Sequence, residues 1–295
     1  MKKTIYSGTA TALVTPFTST GVDYEALGRL IEFQIRSGIN ALVPMGTTGE
    51  NPTVSDEEMI QVIRFTVEKT AGRVPVIAGT GTNCTAHVIE NTKKACAAGV
   101  DAVLVVTPYY NKATQSGLIT HFTAVADASD VPVVLYNVPG RTGCNIQPKT
   151  LATLAKHPNI VALKEASGNM AQFMDMMQLC GDDIDIYSGE DGLTAPMMSM
   201  GAKGTISVLS NVVPAKTVAM TDAALAGDFE TAKKLQLQLL PLVNALFSQV
   251  NPIPAKAAVS AMGYGEEILR LPLTPMEEPM RSVLFEEMRK LGVQV

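Results

Sequence analysis

Lys164 ends the apolar run Ile160-Val161-Ala162-Leu163, and Glu165-Ala166-Ser167-Gly168 turns the chain immediately after it. A short run rich in β-branched residues, entered at Pro158 and left at Gly168, reads as a buried parallel strand. An ammonium at its end has two readings. It can snorkel to water from a solvated strand terminus, its methylenes lying on apolar surface. Or it can sit in a partly dry pocket, where lost hydration favours the neutral amine that attacks a carbonyl carbon. On this stretch alone both readings stay open.

Other residues able to do chemistry also follow apolar runs. They include Thr47 and Thr48 in Gly46-Thr47-Thr48-Gly49-Glu50, and Tyr109 and Tyr110 after Thr107-Pro108. Tyr136 and Arg141 lie in Tyr136-Asn137-Val138-Pro139-Gly140-Arg141-Thr142-Gly143; Gly189 heads Gly189-Glu190-Asp191, and Ile206 precedes Ser207. Singly, tyrosines cover rims, Gly-Thr clusters make turns, and an arginine is solvated. Together they suit amine catalysis. A lysine adds to a ketone to give an imine, and loss of a proton gives a nucleophilic enamine. Tyrosine hydroxyls relayed by a threonine can move the protons. Arg141 can grip a carboxylate bidentately, and backbone N–H groups of the 46–48 turn can hold a second one. The acidic Glu190-Asp191 argues against a phosphate pocket there. His87, His121 and His157 are isolated, so no metal is expected. Cys84, Cys96, Cys144 and Cys180 form no C-x-x-C pair and read as reduced thiols of a cytoplasmic protein.

These residues need elements to position them. Strands are expected at about 9–15, 40–45, 74–79, 101–107, 131–136, 160–164, 184–188 and 204–208, with amphipathic helices between them. One helix starts at Asp23; another follows Ser55, whose Glu58 three residues on makes a capping-box signature. Gly38, Gly72, Gly99 and Gly201 fall where helices should stop. Eight such units by residue 224 make an α/β fold, a (β/α)8 TIM barrel (residues 1–224), with a C-terminal helical appendage (225–295). A doubly wound open sheet is the alternative, but Thr15-Pro16-Phe17-Thr18 is not the Gly-rich phosphate turn it would carry. In the appendage, 229–250 has helical spacing that Pro241 should kink or divide. A last helix from near Glu277 should carry Met280, Val283, Leu284, Met288 and Leu291 along one side. The Met-rich patches near 174–177 and 197–200 read as core or interface filler.

Composition narrows the function. With 46% hydrophobic and 17% charged residues in 295, a large core is available. A net charge of -5 and no basic run argue against nucleic acid. No apolar run reaches the ~18 to 20 residues of a membrane span. Lys2 and Lys3 ahead of 9–14 faintly resemble a signal peptide, but Pro16 stops a short, threonine-rich run that fits a first strand better.

Gly-Thr-Thr-Gly-Glu at 46–50, Tyr-Asn-Val-Pro-Gly-Arg-Thr at 136–142 and Lys-Glu-Ala-Ser at 164–167, in this order and spacing, resemble the signatures of the dihydrodipicolinate synthase family of pyruvate-dependent lyases. The resemblance covers essentially the whole chain. It implies condensation of pyruvate with L-aspartate-4-semialdehyde, the first committed step of lysine and diaminopimelate synthesis, with no cofactor. By that resemblance Lys164 forms the Schiff base, and Tyr136, Thr47 and Tyr110 form the proton relay, Tyr110 being supplied across a subunit interface. Thr48 then holds the pyruvyl carboxylate and Arg141 the semialdehyde carboxylate, while Gly189 and Ile206 line the pocket. A homotetramer of two tight dimers is implied as well, with a dimer as the alternative because the second interface is often small.

Two alternatives come from this scaffold. N-acetylneuraminate lyases and keto-deoxy-sugar-acid aldolases share the lysine, the tyrosine and the turn, but generally lack an arginine at the place of Arg141. A non-catalytic metabolite sensor would have no need of Lys164, Tyr136 and Thr47 together. The chain also departs from lysine-inhibited synthases. Asp56 and Met59 stand where those carry basic or imidazole groups, and His87 replaces an acid, while Asn83 and Tyr109 fit. Lysine inhibition is therefore expected to be weak or absent.

Overall fold

Eight short strands, all parallel, carry the chain from Gly8 to Ser207 in a computed structural model that describes residues 2–295. They are β1 (Gly8–Ala12), β2 (Ala41–Val43), β3 (Ile77–Gly79), β4 (Ala102–Val106), β5 (Val133–Asn137), β6 (Ile160–Glu165), β7 (Asp185–Ser188) and β8 (Gly204–Ser207). Their order is β2-β1-β8-β7-β6-β5-β4-β3, and a single Leu42–Val76 bridge joins the two ends. The result is the (β/α)8 barrel, not the open sheet. Parallel strands need long crossovers, and the seven here carry α1 (Tyr24–Arg36), α2 (Asp56–Thr70), α3 (Thr85–Ala97), α4 (Gln115–Asp127), α5 (Pro148–Leu154), α6 (Met170–Cys180) and α7 (Thr194–Ser199), while α8 (Pro214–Leu225) follows β8.

Two apolar layers follow from strand alternation. Inward residues such as Ala10, Val43, Ile77, Leu104, Val134 and Ile206 fill the barrel. Outward residues such as Leu42, Val103, Leu135 and Leu163 pack under the helices. Helix ends follow local chemistry. Ser55 and Glu58 form a complete capping box on α2, and Gly38, Gly72, Gly99 and Gly201 all have positive φ at helix ends.

The chain then continues through α9 (Phe229–Leu246), α10 (Ile253–Ala261) and α11 (Met280–Lys290). Two expectations are corrected here. Pro241 does not divide α9. The carbonyl its ring leaves without an amide partner belongs to Leu237, and both residues are exposed, so water can take that bond. Val283 does not join the buried side of α11; it is half exposed, while Leu284 and Met288 are fully buried. The seam follows i, i+4 spacing, and Val283 sits one position off it. The methionine patches divide likewise: Met176, Met197 and Met198 are buried, and Met174 and Met200 are exposed. Among the described residues no helix is long and apolar enough to cross a membrane.

Candidate active site

Lys164 reaches the barrel interior because β6 contains a bulge. The register with β5 slips between Val133–Ile160 and Val134–Ala162. Ile160 packs outward, Val161 and Ala162 both pack inward, and Leu163 packs outward. Simple alternation from Ile160 would have aimed Lys164 at the helices, and the extra residue reverses its side. Lys164 pairs with Tyr136 in register, is 5% exposed, and holds Nζ 4.4 Å from the centroid of the Tyr136 ring. Gly189, on the turn after β7, leaves it this space. A Cβ on Gly189 would come within 2.9 Å of Lys164 Cε and 2.7 Å of Ala166 Cβ.

The turn after β2 is drawn tightly over the barrel. Met45 has φ +57, and a Cβ on Gly79 would lie 2.0 Å from its carbonyl oxygen, so only glycine fits there. Thr47–Gly49 then form a single 3-10 turn that exposes Thr47 to a cavity of about 420 Å³. Tyr136, Arg141, Tyr109, Asp56 and Met59 share its walls.

The structure brings most of the candidate residues to one barrel end. Thr47, Tyr136 and Arg141 line the cavity, Lys164 lies against Tyr136, and Gly189 lies against Lys164. Ile206 is buried with Tyr136 in the inner layer. Thr48 is buried in the turn, its Oγ1 accepting a hydrogen bond from Asn251 Nδ2 at 3.1 Å. Tyr110 is not brought in: it is 89% exposed, has φ +73, and lies outside the cavity walls.

Glu165, adjacent to the lysine, faces the other way. Its carboxylate accepts from the Ser167 amide at 2.7 Å and from Asn137 Nδ2 at 2.9 Å, and burial pushes its carboxyl above the usual range. Asn137 Oδ1 in turn accepts from the Ile146 amide, so the segment carrying Arg141 is closed on itself. After β7, the Oδ2 of Asp191 accepts from the amides of Val208 and Leu209. This acidic side chain serves the fold of the β8 turn.

Sequence reasoning missed the contribution of the chain's last quarter. Asn251 Oδ1 is buried without a partner, and its backbone carbonyl accepts from Arg141 Nη2 at 3.0 Å. Lys256, 1% exposed on α10, lies 2.8 Å from Glu50 Oε1 and donates to the carbonyls of Thr15 and Ile268. Burial pulls this ammonium below its ordinary pKa, with the Glu50 carboxylate pulling the other way. Phe17 lies under both Lys256 and Arg270, and Arg270 makes a two-pronged contact with Glu58 that holds its carboxyl down to about 2. Lys256 carried a signal: it is the single charge in Ile253-Pro254-Ala255-Lys256-Ala257-Ala258-Val259. Asn251 carried none.

Residues 5–290 match the model of the dihydrodipicolinate synthetase family. The chain belongs to that family. It is 52% identical over 286 residues to the 4-hydroxy-tetrahydrodipicolinate synthase of Geobacter sulfurreducens, covering 97% of this chain and 99% of the relative. Among solved structures, dihydrodipicolinate synthase from Aquifex aeolicus superposes with a TM-score of 0.96 at 44% identity, covering 98% of this chain and 99% of that one. The chloride-inhibited enzyme from Acinetobacter baumannii, complexed with pyruvate, matches with a TM-score of 0.96 at 42% identity, covering 98% and 100%. The protein is therefore an enzyme, a lyase-type synthase of the dihydrodipicolinate synthetase family.

Proposed function

We propose that this chain is a 4-hydroxy-tetrahydrodipicolinate synthase that condenses pyruvate with L-aspartate-4-semialdehyde through an imine on Lys164. The observation that carries the reading is a buried lysine packed on Tyr136, beside a cavity walled by Thr47 and Arg141. The Lys164 amine adds to the pyruvyl carbonyl and water leaves. The imine loses a methyl proton to become an enamine, whose carbon attacks the aldehyde while the new alkoxide takes a proton. Tyr136, Thr47 and Tyr110 relay those protons. Thr48 binds the pyruvyl carboxylate, Arg141 binds the semialdehyde carboxylate, and Gly189 and Ile206 shape the pocket. No cofactor enters the scheme. The product serves lysine and diaminopimelate synthesis in the cytoplasm.

Tyr110 supports an oligomer in this proposal. A large side chain that is 89% exposed on left-handed backbone is costly in isolation. Covered by a second copy, it would sit in an active site across a tight dimer interface, two such dimers making the tetramer. The 225–295 segment is proposed as a helical unit appended to the 1–224 barrel.

Borohydride reduction with pyruvate, followed by peptide mass mapping, tests the reading. A reduced adduct on Lys164 is expected, and an unmodified Lys164 would remove it. Arg141→Ala separates the synthase from a sugar-acid lyase. It should leave pyruvate trapping nearly intact while kcat/KM for the semialdehyde falls about 10- to 100-fold, the usual scale for a hydrogen-bonded charge. Equal loss in both assays would show that Arg141 does not select the aldehyde.

Weak or absent inhibition by lysine belongs to the same proposal. The cavity wall nearest α2 offers one carboxylate, Asp56, and that group already faces Lys94 at 4.0 Å. Steady-state rates should hold nearly constant through low-millimolar lysine; strong inhibition there would contradict this.

A further inference from the structure

We infer that Asn251, in the turn entering α10, is a positioning residue for the pyruvyl carboxylate: its side-chain amide fixes the direction in which the Thr48 hydroxyl donates. The inference rests on the proposed binding of that carboxylate at Thr48.

A threonine hydroxyl has one proton to give and can accept from others. In the structure, Thr48 Oγ1 accepts from Asn251 Nδ2 at 3.1 Å. Thr48 and Asn251 are 2% and 5% exposed, so bulk water does not compete freely for either group. With acceptance satisfied from the C-terminal side, the hydroxyl proton is left for another acceptor, which is what a bound carboxylate supplies. Asn251 Oδ1 takes no hydrogen bond of its own. The residue therefore has an unmet acceptor in a dry place, a cost that a purely space-filling residue would not carry.

The placement of Asn251 is itself held firmly. Its backbone carbonyl accepts from Arg141 Nη2 at 3.0 Å, and five residues later Lys256 pairs with Glu50, two residues beyond Thr48. Asn251 thus stands between the two groups proposed to hold the two substrate carboxylates: it touches Thr48 with its side chain and Arg141 with its main chain. This separates the two contacts experimentally, because a side-chain substitution keeps the carbonyl that Arg141 uses.

The test compares wild type with Asn251→Asp and Asn251→Ala, reading the pyruvate concentration that half-saturates borohydride trapping on Lys164. Aspartate matches asparagine in size but only accepts when ionised. It would claim the Thr48 proton and set a negative charge beside the substrate carboxylate. Half-saturating pyruvate is expected to rise about tenfold or more for Asn251→Asp and less for Asn251→Ala, with the plateau of trapped adduct kept in both. A residue that merely fills space gives the reverse order, since aspartate is the better fit, and that order overturns the inference. So does an unchanged half-saturation in Asn251→Asp, which would mean that Oδ1 accepts from Thr48. Thermal unfolding of each variant identifies any loss of fold, and if Asn251→Asp does not fold, Asn251→Leu, which fills a similar volume without an amide, decides the matter: a rise supports the inference and no rise defeats it. Failure of wild type to trap pyruvate at Lys164 would instead defeat the proposed function.

Discussion

Lys164→Arg should lose roughly 10³-fold or more in kcat, about 4 kcal/mol of barrier, and give no adduct with pyruvate and borohydride. Arginine keeps a long side chain whose head can lie over the Tyr136 ring, where Lys164 Nζ sits 4.4 Å from the centroid. It removes one property only: a guanidinium stays protonated and offers no free amine to a ketone. The residual rate would report what the cavity does by binding and proton relay alone. Thermal unfolding should change little, which separates lost chemistry from lost fold. A variant retaining more than about a tenth of the wild-type rate would place the imine elsewhere.

Lys256→Met is expected to have the largest effect on stability. The Lys256–Glu50 pair is enclosed, with the side chains 1% and 0% exposed and Nζ 2.8 Å from Oε1. Methionine fills much of the lysine's volume but removes the cation in contact with the buried Glu50 carboxylate, leaving Arg270 as its neighbouring positive charge. Breaking a buried pair from one side costs about 3–5 kcal/mol, because desolvation has been met and the attraction that offset it is gone. For a chain of this size that lowers the thermal midpoint by roughly 6–20 °C. Glu50→Gln combined with Lys256→Met should recover a substantial part of the loss, since no buried charge then remains. A loss below ~1 kcal/mol in the single variant would mean that water reaches the pair. Glu50 has φ +57 and ends the Thr47–Gly49 turn, so loosening it should also weaken pyruvate binding.

The two predictions mark the two halves of one construction. Lys164 belongs to the barrel and was visible as a charge at the end of an apolar run. Lys256 lies in sequence far from the turn it secures, yet the turn that carries Thr47 and Thr48 is gripped from that side by an ion pair and by Asn251. The C-terminal helices are thereby part of what holds the cavity in shape.

Local information sufficed for the units of this fold. Alternation and 3.6-residue periodicity report which residues face a core, so eight strand–helix units and the barrel could be read directly. Caps are local too: Ser55 and Glu58 lie three residues apart and satisfy each other's backbone groups. Strand ends gather at one face of any parallel barrel, which brought Thr47, Tyr136, Lys164 and Gly189 together before any contact was known. Motif order and spacing gave the family on the same basis.

Tertiary structure decided what depends on parity, exposure and distance along the chain. A window of sequence does not reveal a bulge, and the slip beside Val161 determines whether Lys164 meets the barrel interior or the helices. Pro241 was expected to kink or divide a helix; it does not divide it, because water can reach the freed carbonyl on that exposed face. Asn251 meets Thr48 across 203 residues, and Lys256 meets Thr15 across 241. No periodicity encodes such a pairing, because it arises only when the closed barrel and its appended helices bury both partners in the same dry volume.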